Sequence, residues 1–271
     1  MSTPFEVLSR MITVRDLSEP ISRSYETSEP VADIFPLWWE ECDERGEDPM
    51  DQIGLATAEG HVVGWFGFDM LDTGKTIGEC AEPIAAEAII AADTPAIEAV
   101  KIFNTTAQHF FFTLEKNALS GWLGYSDLFK LPFRLCLFSL LLGIEQLASD
   151  LCKTQLRASL DALKPDRLEK VKDTYRRRGL KYDQAGNEYD SPLLDCTMFL
   201  DKITIIRKLF VQSVPAAKDR LFNTAESIRN DLAHPRDGSV IADRLQREKL
   251  LPLIAWSETI QQQMEQALGR S

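Results

Sequence analysis

Histidine is rare in this sequence. His61, His109 and His234 are the three present among 271 residues. The five cysteines (Cys42, Cys80, Cys136, Cys152, Cys196) form no CxxC pair and no metal-ligand spacing with histidine. That argues against a zinc site. No basic region followed by an apolar run opens the chain, and scattered cysteines suit a reducing compartment, so a cytoplasmic protein is expected. The longest apolar run, residues 135–144, is bounded by Arg134 and Glu145. It is too short to cross a bilayer and reads as a buried helix, so no membrane partner is expected. Positive charge is scarce in one half only. Residues 1–133 carry 8 Lys and Arg against 23 Asp and Glu, residues 134–271 carry 22 against 19, and the net charge is −12. The first half would repel a polyanion, whereas the second could accept one locally. This asymmetry suggests two modules, residues 1–133 and 134–271, with different partners.

What is present in the first half is a repeat. "IGLATAEGHVVGWFGF" (residues 53–68) reads as two strands around a Glu-Gly turn, and "HFFFTLEKNALSGWL" (residues 109–123) as two strands around a Lys-Asn turn. Each pair follows a helical stretch, one near residues 31–44 and one near 95–104, where Thr94 suits an N-cap and Pro95 a first helical position. "GWFGFDML" (residues 64–71) and "GWLGYSDL" (residues 121–128) mark the same point in both copies. A repeat this short should bury its sheet against its twin.

This half resembles a tandem CBS-domain pair, over roughly residues 5–133. The family's second strand typically ends Gly-x-x-Thr-x-x-Asp-Leu, and Gly121, Asp127 and Leu128 fit that spacing. Gly124 stands where the family has a Thr or Ser, and in the first copy Asp69 comes one residue early. The resemblance implies an adenosyl nucleotide as regulator, its ribose held by Asp127 and its phosphate near Gly124. The same residues also allow Asp127 to be the cap of a helix starting at Leu128.

The second half changes texture. Leu137, Leu141, Ile144, Ala148 and Leu151 recur at helical spacing after Pro132, and Leu156, Leu160 and Leu163 extend the stripe to Pro165. A charged helix over residues 166–178, a polar loop to 192, and stripes at Phe199, Ile203, Ile206 and Phe210 and at Leu253, Trp256, Ile260 and Met264 follow. Another helix should run over about 216–233. The expected fold is therefore α+β: an α/β CBS-pair (Bateman-like) module, then an all-α bundle of four to five helices.

The motif that carries chemistry is "SIRNDLAHP" (residues 227–235). Asn230 and His234 share one helical face, whereas Arg229 and His234 stand about 140° apart around the axis. Pro235 favours a helix that ends before His234. A helix C-terminus favours imidazolium, which suits a proton shuttle near neutral pH. The bland alternative is a helix end, since basic residues are common in last turns and proline often follows.

"IRNDLAHP" looks like the Arg-polar-x-x-x-His motif of the HEPN superfamily, and the match covers roughly residues 134–268. The resemblance implies a homodimer whose two motifs face each other over one RNA-cleaving site, with Arg229, Asn230 and His234 as catalytic residues. Glu145 resembles an acidic position of these bundles. RNA supplies its own nucleophile, the 2′-hydroxyl, so the expected nucleic acid is RNA and not DNA. His234 would move protons, Arg229 would stabilise the pentavalent phosphorus and Asn230 would orient either. No metal or other cofactor is needed for this chemistry, and the products would end in 2′,3′-cyclic phosphate. Eight basic residues between 164 and 181 face three acidic ones, and Arg176, Arg177 and Arg178 read as a track for the RNA backbone. The expected protein is a sensor-controlled ribonuclease suited to a toxin or defence role. The rivals are a non-catalytic dimerisation or antitoxin-like partner and a nucleotide-responsive regulator.

Overall fold

A computed structural model describes residues 4–46, 48–106, 108–177, 191–233 and 247–270. The chain divides into two compact units. One holds Thr13–Ala99 and Thr105–Leu128; the other holds Met1–Ile12, Val100–Asn104 and Phe129–Ser271. The division after Leu128 lies five residues ahead of the boundary read from the sequence, and helix α1 (Pro4–Met11) is grouped with the helical unit.

The first unit is α/β. Its elements are β1 (Glu19–Pro20), β2 (Arg23–Glu26), α2 (Val31–Arg45), β3 (Ile53–Ala58), β4 (His61–Gly67), α3 (Ile77–Cys80), β5 (Ile89–Ala91), β6 (Phe110–Glu115) and β7 (Ala118–Gly124), together with the ends of α4 (Ala96–Thr105), whose middle is grouped with the helical unit. The repeat is exact in register: Ile53 pairs with Gly67 and Phe110 with Gly124, each 57 positions on. Both hairpins carry a bulge at the same place, after Ala56 and after Thr113. Glu59 and Lys116 take positive φ, at 54° and 56°, which closes the two expected turns.

The two copies exchange their leading segments. Thr76 bridges to Pro30 and Glu82 to Trp65, so residues 76–82 join the first hairpin. Thr13 bridges to Pro95 and Glu19 pairs with Trp122, so residues 13–20 join the second. Each leading segment opens with the same cap. Thr13 N–H donates to Asp16 at 2.8 Å, and Thr76 N–H to Glu79 at 2.9 Å. The sheets are β2-β3-β4 and β1-β7-β6-β5, with β2 parallel to β3 and β5 parallel to β6. Trp38, Phe66, Phe68 and Ile77 form one buried core. Ile53, Leu55 and Phe112 join the two sheets, aided by Trp65 edge-on to Phe110 at 5.0 Å.

The second unit is helical. Its elements are α1, α5 (Leu131–Thr154), α6 (Leu156–Asp161), α7 (Pro165–Arg177), α8 (Ser191–Leu194), α9 (Phe199–Leu209), α10 (Leu221–Ala233) and α11 (Arg247–Ala267). The stripe on α5 is buried as its spacing implies, and α1, α9, α10 and α11 pack on it. By length and composition α5 would also suffice to cross a bilayer, which the ten-residue apolar run did not suggest. Here 56% of that span is buried against protein, while Leu131, Leu135 and Leu142 stay exposed.

Two expected continuities break. Gln155 leaves helical geometry, and the Cys152 carbonyl accepts both the Gln155 N–H at 3.3 Å and Ser159 Oγ at 2.8 Å, so α6 is a separate helix. Residues 215–218 form a 3₁₀ turn, and Asp219 caps a new helix at Leu221 N–H, 3.0 Å away.

Candidate functional site

Three helices of the helical unit bring charged side chains together. Arg229 on α10 donates through Nη2 to Glu145 Oε2 on α5 at 2.9 Å. Lys202 on α9 donates through Nζ to the other oxygen of the same carboxylate at 3.1 Å. Arg229 Nη1 reaches Asn230 Oδ1 at 3.2 Å, and Arg229 Nε is buried without an acceptor. Lys202 is only 5 % exposed. Glu145 and Arg229 are part-buried.

This trio stands at a cleft of about 680 Å³ lined also by Arg167, Lys170, Glu226 and Asn230. Its walls carry groups of both signs. Arg167 forms a two-pronged bond to Asp201, at 2.7 and 2.6 Å, and that bond holds its proton still more firmly. Glu226 sits above the ordinary carboxylate range, first because burial disfavours its charge and then because Asp201 is near; Arg229 opposes the shift. A second cleft, of about 750 Å³, shares Glu145, Lys202 and Arg229.

Of the three expected catalytic residues, Arg229 and Asn230 stand at the cleft and touch each other. His234 lies outside the described residues. Glu145 is joined to the motif through Arg229. Lys202 and Glu226 were missed by sequence reading. Lys202 did leave a signal: it lies three residues after Phe199 and four before Ile206, on the apolar face of its own helix.

Part of the arginine track lies among the described residues. Arg176 is not free, because Asp173, one helical turn earlier, accepts from its Nη1 at 2.6 Å. Arg177 is exposed, and Arg178 lies outside the described residues. Within the same run, Lys172 pairs with Glu169 at 3.1 Å, which leaves Lys170 as the lysine facing the cleft.

In the α/β unit, Gly124 N–H donates to Asp127 Oδ2 at 2.7 Å, across a 3₁₀ turn over Ser126–Phe129. Asp127 therefore closes this turn from inside it, rather than as the N-cap of a helix starting at Leu128. A Cβ on Gly124 would stand 3.2 Å from the same oxygen, tighter than ordinary contact. A Thr or Ser there would need the Asp127 side chain to give by a few tenths of an ångström. In the first copy Gly67 N–H meets Met70 Sδ at 3.1 Å instead.

No protein-family model and no curated protein matches this sequence. Among solved structures, the chain is similar to the CBS domain of a bacterial CNNM/CorC family Mg²⁺ transporter in complex with ATP. That match has 16% identity and a TM-score of 0.36, over 48% of this chain and 92% of that one. It is also similar to the CBS domains of a transcriptional regulator from Streptococcus pneumoniae. There the identity is 12% and the TM-score 0.32, over 43% of this chain and 96% of that one.

Proposed function

We propose that this chain is a metal-independent endoribonuclease of the HEPN type, controlled by a CBS-type ligand-sensing module. The observation that carries the reading is the placement of the motif arginine: Arg229 stands at a cleft, steadied by Glu145 and touching Asn230. A phosphodiester entering that cleft would meet a guanidinium whose orientation is already fixed, which is how positive charge best serves a developing pentavalent phosphorus. The 2′-hydroxyl would lose its proton and attack the adjacent phosphorus, the bond to the 5′-oxygen would break, and a 2′,3′-cyclic phosphate would remain. His234, which follows Ala233 directly in the sequence, takes the proton-transfer role on the strength of the motif alone. A homodimer would place two such motifs on one RNA.

The sensor reading rests on the exchanged repeat and on the Gly121 to Leu128 spacing. An adenosyl nucleotide is the expected regulator, and Asp127 its ribose ligand. Binding would have to draw Asp127 away from the Gly124 amide.

His234→Ala should lower RNA cleavage by about 10²- to 10⁴-fold, the usual cost of a lost proton-transfer group. Arg229→Lys should lose most activity as well, since lysine cannot hold a phosphate with two parallel donors. EDTA should leave the wild type unchanged, and product ends should carry the cyclic phosphate. Cleavage that survives His234→Ala, or that EDTA stops, would place the chemistry elsewhere. A non-catalytic dimerisation or antitoxin-like role is the second reading. It is favoured by the pairing of Arg229 with Glu145 and by the mixed charge of the cleft. Under it the wild type cleaves no RNA.

A further inference from the structure

We infer that Lys202 is the second cation of a phosphate site in this cleft, and that Glu145 is the positioning residue that aims both Lys202 and Arg229 at the bound group. This rests on the ribonuclease reading and names the group that the site grips: one phosphodiester of a single RNA strand.

The argument begins with charge. Glu145 offers one negative charge, and two cations share it, one on each oxygen, at 2.9 and 3.1 Å. The trio therefore keeps one positive charge in excess. Lys202 is almost entirely buried, and a buried cation that must share its counter-ion is costly unless a second anion completes the set. Two carboxylates near Lys202 are committed elsewhere, and Asp231 also lines the cleft. Asp201, next to Lys202 in sequence, gives both oxygens to Arg167 and also accepts the Met198 N–H at 2.8 Å. Asp195 pairs with Lys153 at 2.8 Å. Glu226 also faces the cleft, where burial and Asp201 raise its pKa and Arg229 opposes them.

Geometry agrees with a phosphate. The cations come from different helices, α9 and α10, and are spaced by the two oxygens of one carboxylate. A phosphate also presents two oxygens to a pair of donors in this way. The cleft, at about 680 Å³, falls in the range of small-ligand sites and has room for a nucleotide around that phosphate. Because Glu145 engages Arg229 through Nη2 and Lys202 through Nζ, removing it should free both cations and also let them wander. Binding and turnover then move in opposite senses.

The test uses the full chain and three probes: inorganic phosphate, a mononucleotide, and a single-stranded oligonucleotide with 2′-deoxy sugars that cannot be cleaved. Calorimetry on the wild type should show oligonucleotide binding well above that of the two small probes. Equal binding of all three would assign the site to free phosphate and overturn the phosphodiester. Lys202→Met should weaken oligonucleotide binding at least tenfold. It should also lower the slope of log affinity against log salt by about 0.7, the value for one lost contact on a single strand. Lys202→Arg should restore both. Glu145→Gln should lower KM and lower kcat together, whereas a merely structural role would leave KM alone. If Lys202→Met does not fold, the wild-type Lys202 Nζ resonance should shift on oligonucleotide addition. An unmoved resonance, or wild-type affinity in Lys202→Met, overturns the inference. A wild type that binds the oligonucleotide through Lys202 but cleaves no RNA would sink the ribonuclease reading alone.

Discussion

Arg167 reaches from α7 to hold both carboxylate oxygens of Asp201 on α9, with Nε at 2.7 Å and Nη2 at 2.6 Å. Asp201 is 7 % exposed and also accepts the Met198 N–H, so one carboxylate ties two helices and caps one of them. Asp201→Asn keeps a cap and loses the ionic pair. Because Arg167 retains some solvent contact, the loss should be below that of a fully buried pair, about 2 kcal/mol. Asp201→Ala removes the cap as well and should cost about 1 kcal/mol more. Denaturant unfolding measures both. Equal stability of the two variants would mean that the cap contributes nothing.

The same carboxylate acts on Glu226. Burial first, then Asp201, raise the Glu226 pKa above its ordinary value, with Arg229 pulling the other way. The native state thus binds this proton more tightly than the unfolded chain does. Its contribution to stability is fully present below the ordinary carboxylate pKa and is lost as pH rises through the raised one. At neutral pH a charged Glu226 is therefore a liability. Glu226→Gln should raise the thermal midpoint at pH 7 and change little at pH 4. A larger gain at pH 4 than at pH 7 would reverse the sign and refute the assignment.

Much of this was legible because local periodicity carries it. The 57-residue repeat, the turns at Glu59 and Lys116, and the apolar stripes on α5, α9 and α11 all follow from spacing that neighbours impose on one another. The exchange of leading segments was not legible. It rests on two residues of β1 and isolated bridges at Thr13, Thr76 and Glu82, and pairings that short leave no periodic trace. The break at Gln155 was hidden for a related reason, since Ile144, Ala148 and Leu151 before it and Leu156, Leu160 and Leu163 after it all keep helical spacing. Arg229 and Asn230 were found as a motif, but their partner Lys202 comes from another helix. Only its misplaced charge on an apolar face pointed to it.

Cysteine reactivity separates buried from accessible thiols. Burial pushes Cys136 and Cys152 up to about 12, so neither forms thiolate at neutral pH. Cys42 and Cys196 are also buried, whereas Cys80 is part-exposed. Native protein at pH 8 should react rapidly with a thiol reagent at Cys80 alone, and all five should react in denaturant. Mass mapping of the labelled peptides checks this. Fast native labelling of Cys136 or Cys152 would mean that the packing around α5 opens readily.

The exchanged repeat makes a sharper demand on two glycines. Gly64 and Gly121 occupy equivalent places in β4 and β7, where the other copy's leading segment crosses. A Cβ on Gly64 would lie 2.6 Å from the Glu82 carbonyl oxygen, and one on Gly121 would press on the Glu19 carbonyl oxygen still harder. Both obstacles are backbone, held by strand pairing: Trp65 and Glu82 exchange two hydrogen bonds at 2.8 Å, and Glu19 pairs with Trp122. Backbone cannot swing aside as a side chain does, so each alanine must push a strand off its edge. Gly64→Ala and Gly121→Ala should each cost about 1–3 kcal/mol, the range for forcing a methyl into packed structure. Gly74 is the control. Its added Cβ would meet only the Asp72 side chain, at 3.4 Å, so Gly74→Ala should stay within about 0.5 kcal/mol of wild type. Hydrogen exchange adds the local readout, since the Trp65 amide should lose protection in Gly64→Ala and keep it in Gly74→Ala. If all three alanines are equally tolerated, the leading segments do not cross where the structure puts them.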